Sequence, residues 1–395
     1  MIRINKNVVK GLMPVISMVM VQIAYAVMNI LYKMGVEDGM SMRILIAYRM
    51  AFASAFMVFL ALLLERKKMP KFTWLILFQA FLCGLFGGCL FQILYVEGLA
   101  LSSATFAVAI YNLSPAVTLI MAIIFGLEKL ALPTVVGKAK VVGLVLGFGG
   151  AMLFTFYKGV EIKLWSTHID LFHHHESTNS HVASSSNMVL GASLCLGSSI
   201  CYALWLIIQT KMNKMYPCFY SSTALMSVIG TILSGGFALC LERDWQQWKL
   251  GWNIRLLIVS YSGIVTSGLL VVVISWATQV RGPFFVSVFS PLTLVLVALA
   301  GTLVLDEKLH LGSILGGLLI VCGLYIVMWA KTKEMNAILT TQVVPSTTSS
   351  QDQSQHDHHS DHKIEIVDTT TPQISNNNNE NITRSFTDQR VRTVA

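Results

Sequence analysis

Long apolar runs separated by short polar segments fill the first 331 residues of the chain. A helix needs about 20 mostly apolar residues to cross a bilayer, and ten of the runs reach that length. The pattern therefore predicts ten transmembrane helices, at 12–33, 44–64, 73–97, 103–126, 138–157, 187–209, 219–241, 254–276, 283–305 and 311–330.

Two of the apolar runs, 104–130 and 282–309, share a pair of features. Each contains a Ser-Pro step near its first third, at Pro115 or Pro291, and each ends in Glu-Lys-Leu. A proline inside a helix removes one backbone hydrogen bond, and in a membrane such a break is tolerated where the helix faces protein or a water-filled cavity. Interrupted helices at matching places in two halves of a chain indicate a transporter's substrate site.

The two proline breaks also indicate an internal repeat. Pro115 and Pro291 lie 176 positions apart, so each half of the chain holds five predicted spans. Because five is odd, the second half enters the membrane with the opposite polarity, which makes an inverted repeat. The predicted organisation is an N-terminus at 1–11, a first five-helix repeat at 12–157, a loop at 158–186, a second five-helix repeat at 187–331 and a disordered tail at 332–395.

Composition supports a membrane protein. Of the 395 residues, 54% are hydrophobic and 12% are charged, whereas globular domains carry about 25% charged residues. The net charge of +8 comes from basic residues near the ends of the apolar runs, which favours a lipid bilayer as the partner and not nucleic acid. The cluster ERKKMPK at 65–71 is the strongest of these. The positive-inside rule predicts that this cluster and both termini are cytoplasmic and that the 158–186 loop is not.

The chain carries no recognisable catalytic motif. The GxSxG, HExxH and GxxxxGKS/T patterns are absent, the seven cysteines form no CxxC pair, and His173 to His175 have no fixed carboxylate or cysteine partner in the sequence. The prediction is therefore a protein that is not an enzyme and that has no cofactor and no metal site. The missing nucleotide loop also argues against an ATP-driven pump.

Polar side chains inside the apolar runs are the candidate functional residues, since they cost free energy in lipid. Gln22, Tyr25 and Asn29 are spaced by three and four residues and so share one helical face. Amides and a phenol on one face suit hydrogen bonds to a small polar solute, and they equally suit contacts between helices. Arg49 lies shortly inside the second run, where its guanidinium would bind a carboxylate or reach the membrane interface.

The remaining candidates lie in later spans of both halves. The first half offers polar residues around its proline break, and the second half is more aromatic, which predicts an asymmetric site. These candidates are Gln92, Tyr95, Thr105, Tyr111, Asn112 and Pro115 in the first half, and Trp205, Gln209, Trp276, Phe285, Ser290 and Pro291 in the second. Glycine-rich faces at 143–150 and 312–323 separately predict close packing between helices.

Several longer stretches resemble one group of plant membrane proteins, the nodulin-21-like, WAT1-related set of the drug/metabolite transporter superfamily. This group includes the "usually multiple acids move in and out" transporters, and the resemblance covers about residues 10 to 331. The stretches that carry it include MVMVQIAYAVMNILYKMGVEDGMS (18–41), LLLERKKMPK (62–71), LYVEGLALSSATFAVAIYNLSPAVT (94–118) and DEKLHLGSILGGLLIVCGLYIVMWAK (306–331).

The resemblance implies a ten-helix bundle of two EamA-type repeats, which agrees with the count of apolar runs. It also implies a carrier of small organic solutes, most often amino acids and in some members auxin or related indoles. The group usually has Gln-Asn-Leu-Tyr in the third span, whereas this chain has Gln-Ile-Leu-Tyr at 92–95, so one amide is missing.

The leading prediction is an all-α membrane protein that moves amino acids or similar organic acids by alternating access, driven by the solute gradient or by protons. Arg49 would attract the carboxylate, the amides and tyrosines would hydrogen-bond the solute, and Trp205, Trp276 and Phe285 would contact its apolar part. The plasma membrane is the expected location. The alternatives are export of auxin or another metabolite at the vacuolar membrane, and a receptor-like or structural component whose tail recruits partners. A homodimer is also left open.

Overall fold

Ten helices in the part of the chain that the structure describes are long and apolar enough to cross a membrane, as predicted. The structure is a computed structural model that describes residues 6–65, 73–102, 104–157, 159–162, 185–304 and 309–343. The basic residues at 66–71, the three histidines, the second Glu-Lys pair at 307–308 and the tail from 344 lie outside these ranges. Spans 1 to 10 are Leu12–Val36, Met42–Leu64, Trp74–Leu101, Thr105–Ile124, Val135–Phe156, Met188–Met215, Phe219–Leu241, Ile254–Arg281, Pro283–Thr302 and Leu311–Ala337.

Several spans are built from more than one helical segment. Two π-helical segments, Gly84–Leu90 and Tyr261–Leu269, interrupt spans 3 and 8, and the strands Glu161–Ile162 and Leu309–His310 pair antiparallel. The α-helices are Lys6–Glu37, Met42–Leu64, Trp74–Cys83, Phe91–Leu101, Ala104–Tyr111, Ser114–Ile124, Val135–Phe156, Ser185–Met215, Phe219–Leu241, Ile254–Ser260, Leu270–Arg281, Pro283–Ser287, Leu292–Val304 and Leu311–Val343.

Five spans extend past the C-terminal ends that the sequence pattern predicts, and the first of them ends at Val36 instead of residue 33. Spans 3, 6 and 8 continue to Leu101, Met215 and Arg281, beyond the predicted ends at 97, 209 and 276, and polar residues near those ends contact other helices. Gln209, for example, donates a hydrogen bond to the Ser275 hydroxyl at 2.8 Å. The final helix likewise continues past the predicted boundary at 331, so the first residues of the predicted tail are helical.

The helices pair as an inverted repeat requires. Spans 2 and 7 pack along each other, as do spans 5 and 10, so equivalent helices of the two halves form each pair. Span 6 packs on spans 3 and 4, and its equivalent, span 1, packs on spans 8 and 9. The two π-helical segments also lie at equivalent places. The repeat that the two prolines indicate is therefore present in the packing.

Spans 5 and 10 approach closely through the glycine faces that the sequence predicts. A Cβ atom on Gly143 would lie 2.7 Å from the Gly323 carbonyl oxygen, and one on Gly150 would lie 2.8 Å from that of Gly316. These distances leave no room for a side chain. The residues around the central cavity come from the other eight spans.

Consecutive spans run in opposite directions, so their ends collect at two sides of the bundle. Each of these two ends carries ion pairs. At one end, Arg43 pairs with Glu97 at 2.7 Å and with Glu242 at 3.2 Å. Arg255 pairs with Asp38 at 2.5 Å beside them. We call this the Arg43 end. Its pairs join the first three spans to the loop that follows span 7 and to span 8.

The opposite end, which we call the Glu128 end, holds a buried ion cluster. The Lys331 ammonium lies 2.6 Å from Glu128 Oε2, and Lys140, 1% exposed, reaches Glu128 at 3.4 Å and Glu334 at 2.8 Å. The cluster joins the end of span 4 to spans 5 and 10. Glu65 similarly ties span 2 to span 7 by accepting hydrogen bonds from the first residues of span 7.

Candidate functional site

A central cavity of about 230 Å³ lies among the eight spans. Its lining extends from Met18 and Ile274, deep in the bundle, to Tyr32, Met42 and Leu99 close to the Arg43 end. The cavity therefore leans toward the Arg43 end. Its size suits a small organic molecule, since pockets for drug-sized ligands begin at about 300 Å³.

Arg49 is the one formally charged side chain among the described residues that line the cavity. It is 9% exposed, and its guanidinium donates hydrogen bonds to the Ser267 hydroxyl and, at 3.1 Å, to the Tyr32 hydroxyl. The ion pairs within the described part of the chain involve other cations. A buried guanidinium held by hydroxyls, without a carboxylate to neutralise it, favours the binding of an anion.

Amide groups line the same cavity. Gln22 is 4% exposed and accepts a hydrogen bond from the Thr293 hydroxyl at 2.5 Å, which ties span 1 to span 9. The Gln92 side-chain nitrogen is buried and has no hydrogen-bond partner in the described part of the protein. Since a buried polar group without a partner is costly, this amide is suited to bind a polar group of a solute.

Aromatic rings form one wall of the cavity. Ring contacts with centroid distances from 5.4 to 6.4 Å join Phe91, Tyr95, Tyr111, Tyr202 and Trp205. Tilted and edge-to-face contacts at these distances are favourable. A Cβ atom on Gly87 would lie 2.5 Å from the Trp205 ring, so the glycine in the π-helical segment of span 3 leaves the space that this ring needs.

Methionines supply much of the remaining apolar lining. Their unbranched, polarisable side chains adapt to solutes of different shape, so this part of the cavity favours an apolar group without selecting one shape. They are Met18, Met28, Met42, Met50 and Met226.

Nine of the sixteen site residues predicted from the sequence line this cavity, namely Gln22, Tyr25, Asn29, Arg49, Gln92, Tyr95, Tyr111, Trp205 and Ser290. The prediction missed Tyr32, although its spacing from Tyr25 and Asn29 places it on the same helical face. It also missed Ser267, whose contact with Arg49 joins residues 218 positions apart and leaves no local signal.

Three predicted residues at the proline breaks line a different space. Asn112, Pro115 and Pro291 border a second cavity of about 20 Å³, whose other walls come from spans 5 and 10. The Ser114 hydroxyl donates to the Tyr111 carbonyl at 2.5 Å, which is the carbonyl that Pro115 leaves without its helical donor. The breaks thus face protein and a small cavity, behind the central one.

The other four predicted residues lie outside both cavities. Thr105 is exposed near the Arg43 end, and Trp276 is half-buried. Phe285 is buried against Phe289, with ring centroids 5.2 Å apart. Gln209 is fully buried beyond the part of span 6 that lines the central cavity.

Two inverted five-helix repeats around a solute-sized cavity are the architecture of a membrane transporter. The chain belongs to the EamA-like transporter family, whose model matches residues 12–156 and 189–329. The two matched segments coincide with the two five-span halves.

Comparison with known proteins confirms the resemblance found in the sequence. Two WAT1-related proteins of Arabidopsis thaliana are 46% and 45% identical to this chain, over 83% and 82% of it and 92% and 91% of their own lengths. A third is 39% identical over 82% of this chain and 86% of its own length. A solved crystal structure with 16% identity covers 79% of this chain and 98% of its own, with a TM-score of 0.59, and supports the fold alone. The chain is thus a membrane transporter of the drug/metabolite transporter superfamily.

Proposed function

We propose that this chain is a secondary transporter or facilitator of small organic acids, with amino acids as the leading class, and that it works by alternating access. The observation that carries the proposal is the buried Arg49 guanidinium, held by two hydroxyls and facing the cavity without a carboxylate among its described neighbours. A guanidinium binds a carboxylate through two parallel hydrogen bonds. The nearby Gln92 amide supports a second polar contact to the solute.

The proposed orientation places the Glu128 end in the cytoplasm. The basic cluster at 65–71 follows span 2 at that end, and basic residues in short loops favour the cytoplasmic side. The cavity leans toward the Arg43 end, so in this orientation the arrangement corresponds to an outward-facing state. The plasma membrane is the proposed location.

A second candidate substrate class is an aromatic monocarboxylate such as indole-3-acetate, exported at the vacuolar membrane. Two observations favour it. The cavity wall of five aromatic rings suits a planar apolar body. The described lining also holds no Asp or Glu to pair with the ammonium group of an amino acid, and a monocarboxylate carries no such group.

Flux of labelled solutes into proteoliposomes tests both candidates. The purified chain is assayed with an amino-acid panel and with indole-3-acetate, each with and without a proton gradient, which separates proton coupling from facilitation. For the transported class, Arg49→Met is expected to lower kcat/KM at least tenfold, because it removes the carboxylate partner. Lys249→Met removes the same charge from an exposed loop position and is expected to leave flux unchanged.

The outcomes separate the hypotheses. Flux of amino acids alone would exclude the indole candidate, and the reverse result would exclude amino acids. If flux through Arg49→Met equalled that through the wild type, Arg49 would not bind the carboxylate of the solute. If folded protein moved none of these solutes, both substrate candidates would be excluded and the transported solute would belong to another chemical class.

A further inference from the structure

The cavity-lining faces of spans 6 and 8 continue toward the Glu128 end as polar residues. In span 6, Tyr202 and Trp205 line the cavity, and the same three- and four-residue spacing leads on to Gln209 and Asn213. Residues at these spacings lie on one helical face. The face therefore changes from aromatic to polar where the cavity ends.

Span 8 shows the same change of character. Ser267, Val271 and Ile274 line the cavity, and alternating steps of four and three residues lead on to Thr278 and Arg281. Thr278 is fully buried, and Arg281 is 6% exposed. The Arg281 guanidinium lies 5.5 Å from the Phe285 ring centroid and donates to the Thr332 hydroxyl at 3.4 Å, so this face ends in a buried cation.

The two polar faces meet at Ser275. Its hydroxyl accepts a hydrogen bond from the Gln209 amide at 2.8 Å. Its carbonyl accepts one from the Asn213 amide at 3.2 Å and one from the Thr278 hydroxyl at 2.9 Å. Gln209, Asn213 and Ser275 are all fully buried, roughly 12 Å along span 8 from the contact between Arg49 and Ser267 at a rise of about 1.5 Å per residue.

This group does not satisfy its own hydrogen bonding. Each of the two amides keeps one polar atom, the side-chain oxygen of Gln209 and of Asn213, without a partner in the described part of the protein. Leaving a buried polar atom without a partner costs stability, and an apolar pair at this place would pack without that cost. Polar residues inside a membrane bundle are candidates for a solute path.

We propose that Gln209, Asn213, Ser275, Thr278 and Arg281 form a second binding station, which takes the polar head of the transported organic acid when the bundle opens toward the Glu128 end. The station rests on the proposed function, since an organic acid bound at Arg49 must cross this half of the membrane. The unpartnered amide oxygens of Gln209 and Asn213 accept hydrogen bonds from donor groups of the solute, such as the ammonium group of an amino acid, and the positive charge of Arg281 lies at the exit from the station.

Cysteine labelling tests the station without depending on any one solute. Asn213→Cys is made in a full-length chain whose native cysteines are replaced, and sealed proteoliposomes of known orientation are treated with a membrane-impermeant maleimide from each side. Thr223→Cys is the matched control, because Thr223 is fully buried near the same end, also has an unpartnered hydroxyl and does not line the cavity. Gln209→Cys repeats the measurement at a second position.

The station requires that position 213 reacts only from the side of the Glu128 end, at least tenfold faster than position 223. In flux assays, Asn213→Leu is expected to lower maximal transport about tenfold while solute binding at equilibrium changes less than twofold, and Thr223→Val is expected to change neither. Absence of labelling at both 213 and 209, or equal labelling at 223, would show that the amides only hold spans 6 and 8 together. The labelling rates test whether the second binding station exists, whereas flux through the wild-type protein tests the proposed function. Each hypothesis can therefore fail without the other.

Discussion

Two hydroxyls hold the Arg49 guanidinium at the wall of the cavity, an arrangement that suits the binding of an anion. Tyr32 and Ser267 come from spans 1 and 8 and hold the guanidinium of span 2 in place. Hydroxyl oxygens accept its hydrogen bonds without cancelling its charge, so the cation keeps its attraction for a carboxylate. A carboxylate in either position would neutralise the cation before a solute arrived.

Gly87 is a second residue whose identity matters for the cavity. Its Cβ position lies 2.5 Å from the Trp205 ring, so Gly87→Ala is expected to displace that ring into the cavity and to weaken solute binding at least fivefold. Equilibrium binding of the transported solute to purified protein measures the effect. Gly149→Ala is the control, because nothing lies within 4 Å of that position and binding should not change. Equal binding by both variants would mean that the ring yields without affecting the site.

At the scale of the helices, buried charged side chains join several spans at the Glu128 end. Glu128 follows the broken span 4, while Lys331 belongs to span 10 of the other half. The glycine that separates spans 8 and 9 lies against the same carboxylate, since a Cβ atom on Gly282 would come within 2.7 Å of Glu128 Oε1. Spans 4, 5 and 10 and the junction between spans 8 and 9 therefore meet at one carboxylate.

Glu128→Gln is expected to lower the melting temperature of the detergent-solubilised protein by several degrees. It leaves Lys140 and Lys331 with Glu334 alone, and an uncompensated buried charge costs about 3–5 kcal/mol. The double variant Glu128→Met, Lys331→Met removes both signs, while Lys140 keeps its 2.8 Å contact with Glu334. It should recover most of the stability, because apolar replacement of a buried ion pair is often neutral. A single variant as stable as the wild type would show that water, and not Glu128, compensates the two lysines.

At the scale of the whole molecule, the inverted repeat makes the two ends of the bundle equivalent in helix packing but different in chemistry. The Arg43 end carries partly exposed ion pairs and adjoins the cavity, whereas the Glu128 end carries a buried cluster and the polar faces of spans 6 and 8. In the proposed alternating-access mechanism, the equivalent packing would let both ends open in turn, and the different chemistry of the two ends would make one state more stable than the other.

The proposed orientation gives a direct prediction for labelling in intact cells. A cysteine at Trp252, which is 97% exposed in the loop between spans 7 and 8, should react with an impermeant maleimide from outside when the chain lies in the plasma membrane. A cysteine at the exposed Lys129, at the opposite end, should react only after permeabilisation. The reverse pattern would invert the proposed orientation.

Much of the architecture was determined by the sequence alone. The number of spans, the inverted repeat and the close contact of spans 5 and 10 all follow from local properties: the length of apolar runs, the place of prolines and the spacing of glycines. Arg49 and the polar face of span 1, which the sequence offers as candidate site residues, line the central cavity. These predictions succeed because each spanning segment must form its backbone hydrogen bonds within itself in a membrane. The local sequence therefore specifies that a segment is helical and how long it is.

Only the tertiary structure determines which polar helix face lines the central cavity, which lines the small cavity and which is buried between helices. Asn112 and Pro115 belong to the same broken helix as Tyr111, yet they border the small cavity behind it. Gln209 marked the end of a predicted span, and the structure buries it with Ser275, 66 positions away. The direction in which a side chain points depends on the rotation of its helix about its axis, and contacts with distant helices set that rotation. No local pattern in the sequence records it.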